Sequence, residues 1–382
     1  MRISIVTVCL NSVRTIERTI ISVISQDYDD VEYIVIDGGS TDGTVDIIKK
    51  YEQYISCWIS EKDDGIYDAM NKGIDRATGD VIAFLNSDDW YEENIFGEIA
   101  RRYEDLELQV LCGDIYFHRN NGVVRSHISK DDIEQEIRYC MGYHHSAMFV
   151  RKHLFNQFGK FDTQYRIVAD YDWLLRVYDG HVYIAAADRV FTNFSYGGIS
   201  SRYEMQNRHL QERKNASLSA LDKNTELKED EKQKWREKIE TKCIEDGYSY
   251  KFAMILDAIS TDTNKQMLAN VKKAFTRDRY AVFGCGVCFR ELKKILGKAD
   301  VKIVQLWDND RNKWGTVIDG IVVGKPEEMS LDQDMVIIAS TVYEKEIETQ
   351  LMDKGFQKNQ HYLPYSEVIK KIVDAVDAGY GI

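Results

Sequence analysis

The sequence predicts an α/β protein with two sheet-bearing units separated by a helical stretch. Three observations predict it. Short continuous apolar runs alternate with helical spacing over the first 90 residues, a polar helical texture runs from about 204 to 275, and a new strand, glycine turn and helix begin at residue 280. Uninterrupted apolar strands between amphipathic helices are buried on both faces, so the first sheet is expected to be mainly parallel and covered on both sides. Ligands of such sheets bind at the carboxyl ends of the strands. The expected boundaries are 1–203, 204–275 and 276–382.

Residues 3–9 form a short apolar run, and 13–26 carry helical spacing through Val13, Ile16, Ile20, Ile21 and Ile24. Tyr33-Ile-Val-Ile-Asp37 is a second run and ends on a carboxylate. Gly38-Gly39-Ser40-Thr41-Asp42 then supplies a turn and a cap for a helix over 43–53. A strand near 57–60, a helix near 66–77 and a strand over 80–85 repeat the pattern, with a further helix over 91–103. Between 202 and 246, eleven basic and eleven acidic residues are intermixed, which suits solvated helix faces better than a binding tail. Tyr280-Ala-Val-Phe-Gly284-Cys-Gly286 opens the smaller unit, followed by a helix over 287–297 and strands over 301–307 and 335–340.

The chain has 382 residues and a net charge of -13, which counts against a nucleic-acid partner, since that needs a basic face. An acidic chain that handles a phosphate-bearing ligand needs a metal ion or a local basic group. No run of about 18 apolar residues is present. Arg2-Ile3-Ser4-Ile5-Val6 reads as a strand and not as a secretion signal, so a cytoplasmic protein without a transmembrane segment is expected. The seven cysteines are odd in number and scattered, which argues against a disulfide framework or a structural zinc site. With only two prolines, Pro326 and Pro364, the joint between units is expected in charged helix and not in a proline hinge.

Phe84-Leu85-Asn86-Ser87-Asp88-Asp89-Trp90 places two adjacent carboxylates directly after a buried strand. Carboxylate oxygens are the hard ligands that Mg²⁺ or Mn²⁺ takes, and a diphosphate would add more. A plainer reading is a cap for the helix over 91–103. Asp37 ends one earlier strand and Asp63-Asp64 follows another, so a single sheet edge is expected to gather all three carboxylate sites.

The series Val-Thr-Val-Cys-Leu-Asn11, Val-Ile-Asp37-Gly-Gly-Ser-Thr-Asp42-Gly-Thr, Ser-Glu-Lys-Asp63-Asp-Gly65-Ile-Tyr-Asp-Ala-Met-Asn71-Lys-Gly73 and Phe-Leu-Asn-Ser-Asp88-Asp89 resembles the family 2 glycosyltransferases of the GT-A fold. The resemblance covers roughly residues 1–200. It implies a nucleoside diphosphate sugar as donor, with UDP the expected nucleotide, and a glycan or lipid-linked acceptor in surface polysaccharide synthesis. It also implies that Thr7, Cys9 and Asn11 line the nucleoside, that Asp37 meets the base, and that Asp63 reaches the base or ribose. Asp88 would hold Mn²⁺ or Mg²⁺ on the diphosphate. Asn86 replaces the first carboxylate of the Asp-x-Asp motif and is expected at the ribose, with Asn71 and Asp89 also on the substrate side. Val8 and Lys62 stand where relatives often carry proline, which loosens these loops.

Ile167-Val-Ala169-Asp170-Tyr-Asp172-Trp-Leu-Leu-Arg176 resembles the family's acidic segment at a helix start, with Ala169 in place of a glutamate. Asp170 is the expected base, removing the proton of the attacking hydroxyl in an inverting transfer. The plainer reading makes it a first-turn carboxylate favoured by the helix dipole, like Asp172. Of His144 and His145, His145 aligns better with the family's histidine and is expected to complete the metal shell or touch the diphosphate. The loop Tyr196-Gly197-Gly198-Ile199-Ser200-Ser201 is expected to close over phosphates.

In the smaller unit, Asp308 follows Gly286 by 22 residues, the spacing of a ribose-binding acid, although Phe289 replaces the third glycine of that motif. The region resembles Rossmann-like domains attached to sugar-modifying enzymes, so NAD or nucleotide binding is one reading and a scaffold the other. Two rival functions follow: an NAD-linked sugar oxidoreductase using 276–382, and a non-catalytic scaffold that binds sugar nucleotides. A lipid-linked acceptor would bring the chain into peripheral contact with the inner face of a membrane.

Overall fold

The structure is a computed structural model and describes residues 1–119, 122–127, 136–195, 205–260, 265–332 and 334–380. Contacts divide the chain into two compact units, Met1–Ile244 and Glu245–Ile382.

The first unit opens with β1 (Ile3–Cys9), α1 (Ile16–Ile24), β2 (Val31–Asp37), α2 (Thr44–Lys50), β3 (Cys57–Ser60), α3 (Ile66–Arg76) and β4 (Val81–Asn86). It continues through β5 (Trp90–Tyr91), α4 (Phe96–Leu106), β6 (Val110–Arg119), β7 (Gly122–Ser126), β8 (Met148–Arg151), α5 (His153–Phe158), α6 (Ala169–Asp179), β9 (Ile184–Ser195) and α7 (Gln206–Lys223). The strand order is β3-β2-β1-β4-β8-β6-β9-β5, with β7 on β6.

β1 to β4 pair parallel with one another, and β6 pairs parallel with β9. β8 runs antiparallel to β4 and to β6, and β5 antiparallel to β9, so the expected mainly parallel sheet is half parallel and half mixed. The difference has a physical origin. β1, β2 and β4 are buried on both faces and read as unbroken apolar runs, whereas β9 alternates buried and exposed residues over part of its length. Ile3, Ile5, Val6, Ile34, Val35, Ile82 and Leu85 are fully buried, each contributing roughly 1.5–3 kcal/mol. Gly73 lets α3 lie directly on β1, because a Cβ there would collide with Val6.

Register fixes the site. Cys9 pairs with Asp37, Asp37 with Ser60, and Val8 with Asn86, so the carboxyl ends of four strands share one edge. The expected helix over 91–103 begins only at Phe96, after β5, with Ile95 at its cap position, so Asp88 and Asp89 do not cap it.

Helix α8 (Glu229–Ser260) holds residues of both units. The second unit then contains α9 (Lys265–Ala274), β10 (Arg279–Phe283), α10 (Val287–Lys298), β11 (Lys302–Trp307), β12 (Val317–Ile318), β13 (Ile321–Gly324), β14 (Val336–Ile338), α11 (Glu344–Asp353), β15 (Tyr362–Leu363) and α12 (Tyr365–Tyr380). Its strand order is β12-β13-β11-β10-β14-β15, parallel throughout except for the β12–β13 hairpin. The stretch 204–275 thus contributes α7 and the start of α8 to the first unit, and the rest of α8 with α9 to the second.

Candidate active site

At the end of β2, Asp37 is wholly buried yet charged. Burial would raise its pKa. The Ser40 and Ser60 hydroxyls and the Ser40 amide outweigh that and hold the carboxyl below its ordinary value. Ser60 Oγ donates at 2.6 Å, the amides of Ser40 and Gly39 at 2.9 and 3.1 Å, and the Cys9 thiol lies 3.5 Å away. Ser40 Oγ bonds the same carboxylate. With its oxygens so engaged, Asp37 shapes the 38–42 loop and does not offer itself to a base, contrary to the expectation. Asn11 ties β1 to that loop. Its φ of 52° is left-handed, its amide donates to Ser40 Oγ at 2.7 Å, and its Oδ1 accepts from Thr41 N at 2.9 Å. Asp63 is half-buried and accepts from Gly65 N at 3.0 Å, its other oxygen packed on Gly38, where a Cβ would collide with it.

Three other expected donor contacts fall elsewhere. Thr7 is fully buried within β1 and accepts from Tyr33 OH at 3.2 Å. The Cys9 thiol is turned to Asp37 and raised by burial and by that charge. Asn71 spends both ends of its amide on the Phe161 backbone, donating to the carbonyl at 2.9 Å and accepting from the amide at 3.1 Å. The loop 196–201 lies outside the described residues.

The turn after β4 gathers the acidic groups. Asp89 is 1% exposed, and burial, with the charge of Asp88 adding, pushes its pKa well above the ordinary value. One oxygen accepts from Ser195 N at 2.9 Å, while Oδ2 is buried with no partner among the described residues. Asp89 therefore anchors β9 from beneath and does not face a substrate. Asp88 is also raised by burial, against the attraction of His145 and Arg18. The Arg18 guanidinium lies 3.5 Å over the Trp90 ring and donates to the Asp88 carbonyl at 2.9 Å. Asn86 Oδ1 is a second buried oxygen with no partner among the described residues. Asp88 and the unpartnered Asn86 Oδ1 are oxygen donors of the type Mg²⁺ or Mn²⁺ takes, carried on one turn.

The acceptor side joins this turn through His145. Asn86 Nδ2 lies 3.1 Å from His145 Nε2, and His145 Nδ1 lies 3.3 Å from Asp170 Oδ2. With Asn86 Nδ2 as donor, Nε2 accepts and Nδ1 carries its proton toward Asp170. In that tautomer both ring nitrogens have protein partners, and His145 links Asn86 to Asp170, where the sequence placed it in a metal shell. Asp170 Oδ1 accepts from Tyr67 OH at 2.8 Å and from Tyr171 N at 2.9 Å. Asp172 instead pairs with Arg176 at 3.0 Å, one turn along α6. Among the described residues, the group with metal-ligand spacing is Asp114, His127 and Asp188. Arg125 already bridges it, 2.5 Å from Asp114 and 2.6 Å from Asp188.

Sequence reasoning missed Tyr67, Arg18 and Ser195. Tyr67 was legible in one respect: it lies four residues before Asn71, on the same helix face, and both turn to the segment 161–170.

In the second unit, Asp308 accepts from Cys285 N at 2.8 Å, Asp310 N at 2.8 Å and Lys313 Nζ at 2.9 Å. The acid expected to bind ribose is therefore consumed in fixing its own loop, and the NAD reading of this unit loses its central residue. The scatter of cysteines also conceals a C-x-x-C, Cys285-Gly286-Val287-Cys288. Burial, with Asp308 adding, pushes the Cys285 thiol up to about 12, so it is not an activated thiolate.

A four-stranded parallel edge bearing a carboxylate turn, joined to a mixed half-sheet that supplies a further carboxylate, defines a sugar transferase of the GT-A fold. The chain belongs to glycosyl transferase family 2, whose pattern matches residues 4–166. An uncharacterized glycosyltransferase of Mycobacterium tuberculosis is 31% identical over 179 residues, covering 46% of this chain and 68% of that protein. The PGL/p-HBAD biosynthesis glycosyltransferase of Mycobacterium bovis BCG is 29% identical over 211 residues, 52% of this chain and 78% of the relative. Two solved structures share the fold. S. aureus TarS 1-349 in complex with UDP-GlcNAc has a TM-score of 0.53 at 15% identity, covering 84% of this chain and 95% of that one. The mannosyltransferase PcManGT from Pyrobaculum calidifontis, in complex with GDP-Man and Mn²⁺, has a TM-score of 0.50 at 13% identity, covering 78% and 84%. Residues 276–361 match a separate family, C2185-like, N-terminal.

Proposed function

We propose that this glycosyltransferase moves a sugar from a nucleoside diphosphate, UDP in the first instance, to a hydroxyl of a glycan or lipid-linked acceptor, with inversion at the anomeric carbon. The observation that carries the reading is the chain Asn86–His145–Asp170, which joins the acidic turn after β4 to the carboxylate that starts α6. Asp88 would hold Mn²⁺ or Mg²⁺, with Asn86 Oδ1 beside it. The metal supplies positive charge against the departing diphosphate. Asp170, held through Oδ1 and Oδ2, takes the proton of the attacking hydroxyl. UDP-GlcNAc bound to TarS and GDP-Man with Mn²⁺ bound to PcManGT support a nucleotide-sugar donor and a divalent ion.

The catalytic domain in this reading is 1–203, with 204–275 as helical connector and 276–382 as an accessory domain. No helix among the described residues is long and apolar enough to cross a membrane, and a lipid-linked acceptor would bring the enzyme to a bilayer surface.

The metal reading is tested by UDP release from a panel of UDP-sugars, with Mn²⁺ or with chelator, for wild type and Asp88→Asn. Burial raises the Asp88 pKa, so protons compete with the ion, and the Mn²⁺ needed for half-maximal release should fall as pH rises above the ordinary carboxylate range. Chelator should abolish release, and Asp88→Asn should lose about 100-fold. Equal release with and without metal would refute the assignment.

A further inference from the structure

We propose that Tyr67 is a positioning residue for the transfer, a phenol that reaches from the donor-side helix α3 and holds the Asp170 carboxylate in its working geometry. The proposal rests on the reading of Asp170 as base.

Tyr67 is 6% exposed, and its hydroxyl lies 2.8 Å from Asp170 Oδ1 and 2.7 Å from the Ile167 carbonyl. One proton faces two acceptors. An ionised carboxylate is the stronger of the two, so the proton turns to Asp170 while it is charged. Once Asp170 has taken up a proton, the hydroxyl can turn to Ile167 O, 2.7 Å away. The phenol stays protonated throughout, because burial and then the Asp170 charge raise it well above its ordinary range.

The surroundings hold the backbone that bears Asp170. Asn71, one turn after Tyr67, grips the Phe161 backbone through both ends of its amide. The Arg166 guanidinium bonds the Asp64 carbonyl, and the Glu212 carboxylate accepts from Arg166 N and Ile167 N, each at 2.9 Å. These contacts fix the segment 161–167, but from α3 the contact that reaches the carboxylate itself is the Tyr67 hydroxyl. The Asp63-to-Gly73 signature thereby does acceptor-side work: it ties the residues next to the donor loop to the base.

Tyr67→Phe keeps the ring, packed 5.5 Å from Phe161, and removes the hydroxyl alone. The test compares wild type, Tyr67→Phe, Asp170→Asn and the double variant, using UDP release from a UDP-sugar panel with Mn²⁺ and calorimetric binding of UDP with Mn²⁺. Hydrogen exchange of the amides in 161–171 is measured alongside. Tyr67→Phe should lower kcat about tenfold, leave donor KM and UDP affinity within about twofold, and add no loss in the Asp170→Asn background. Exchange over 161–171 should quicken several-fold.

An equal loss in both backgrounds would assign Tyr67 a structural role and overturn the proposal. Unchanged exchange over 161–171 would overturn it independently of turnover. Absence of UDP release by wild type from every donor would instead overturn the function, with exchange still deciding the position of Asp170.

Discussion

Asp37 and Asp170 are both strand- or helix-end carboxylates, and the structure separates them by what their oxygens touch. Asp37 is saturated by Ser40, Ser60 and two amides, whereas Asp170 is held by a phenol, an amide and an imidazole beside the acidic turn. The consequence for Asp37 is a pH dependence of stability. Its folded pKa is depressed, so its contribution is present above its ordinary carboxylate value and is lost as pH falls through the lowered folded value. Asp37→Asn should cost about 1–3 kcal/mol at pH 7, and chemical denaturation should show the gap to wild type closing below about pH 4. A gap that persists unchanged to pH 2.5 would assign the loss to packing.

At the scale of elements, the donor edge depends on a close approach. The carboxyl end of β2 meets the loop after β3 where Gly38 packs on the Asp63 carboxylate, with no room for a Cβ. Gly38→Ala should weaken UDP binding about tenfold or more while leaving the thermal midpoint within a few degrees, because the collision is with one partly exposed side chain. Titration calorimetry with UDP and Mn²⁺ would reveal it, and unaltered affinity would remove Asp63 from the donor site.

The elements also show what the sequence made legible. The strands of the first half were readable from Ile3 to Asn86 because double-sided burial forces unbroken apolar runs. β6, β8 and β9 were not, since mixed pairing leaves no such signature. Helix α4 was placed too early because Trp90 and Tyr91 pair with β9 as a short strand, a long-range contact that no local spacing records. Among candidate site residues, motif position alone points to Asp88 and Asp170, whose roles belong to the proposal above. Thr7 and Asn71, expected at the substrate, spend their side chains on the protein itself, and Asp89 is buried with one oxygen on Ser195 N, which only the three-dimensional partners disclose.

For the whole molecule, the chemistry is assigned to the first unit. The second carries a parallel sheet whose expected ribose acid, Asp308, is bound to Lys313 and two amides, so an oxidoreductase built on it lacks its recognition group. Family membership settles sugar transfer, and the particular mechanism turns on Asp170.

The most direct test is turnover by Asp170→Asn under saturating UDP-sugar and Mn²⁺, with UDP affinity measured on the same preparation. The account predicts a loss of about 10²–10⁴ in kcat with UDP affinity unchanged. Turnover within threefold of wild type would contradict it.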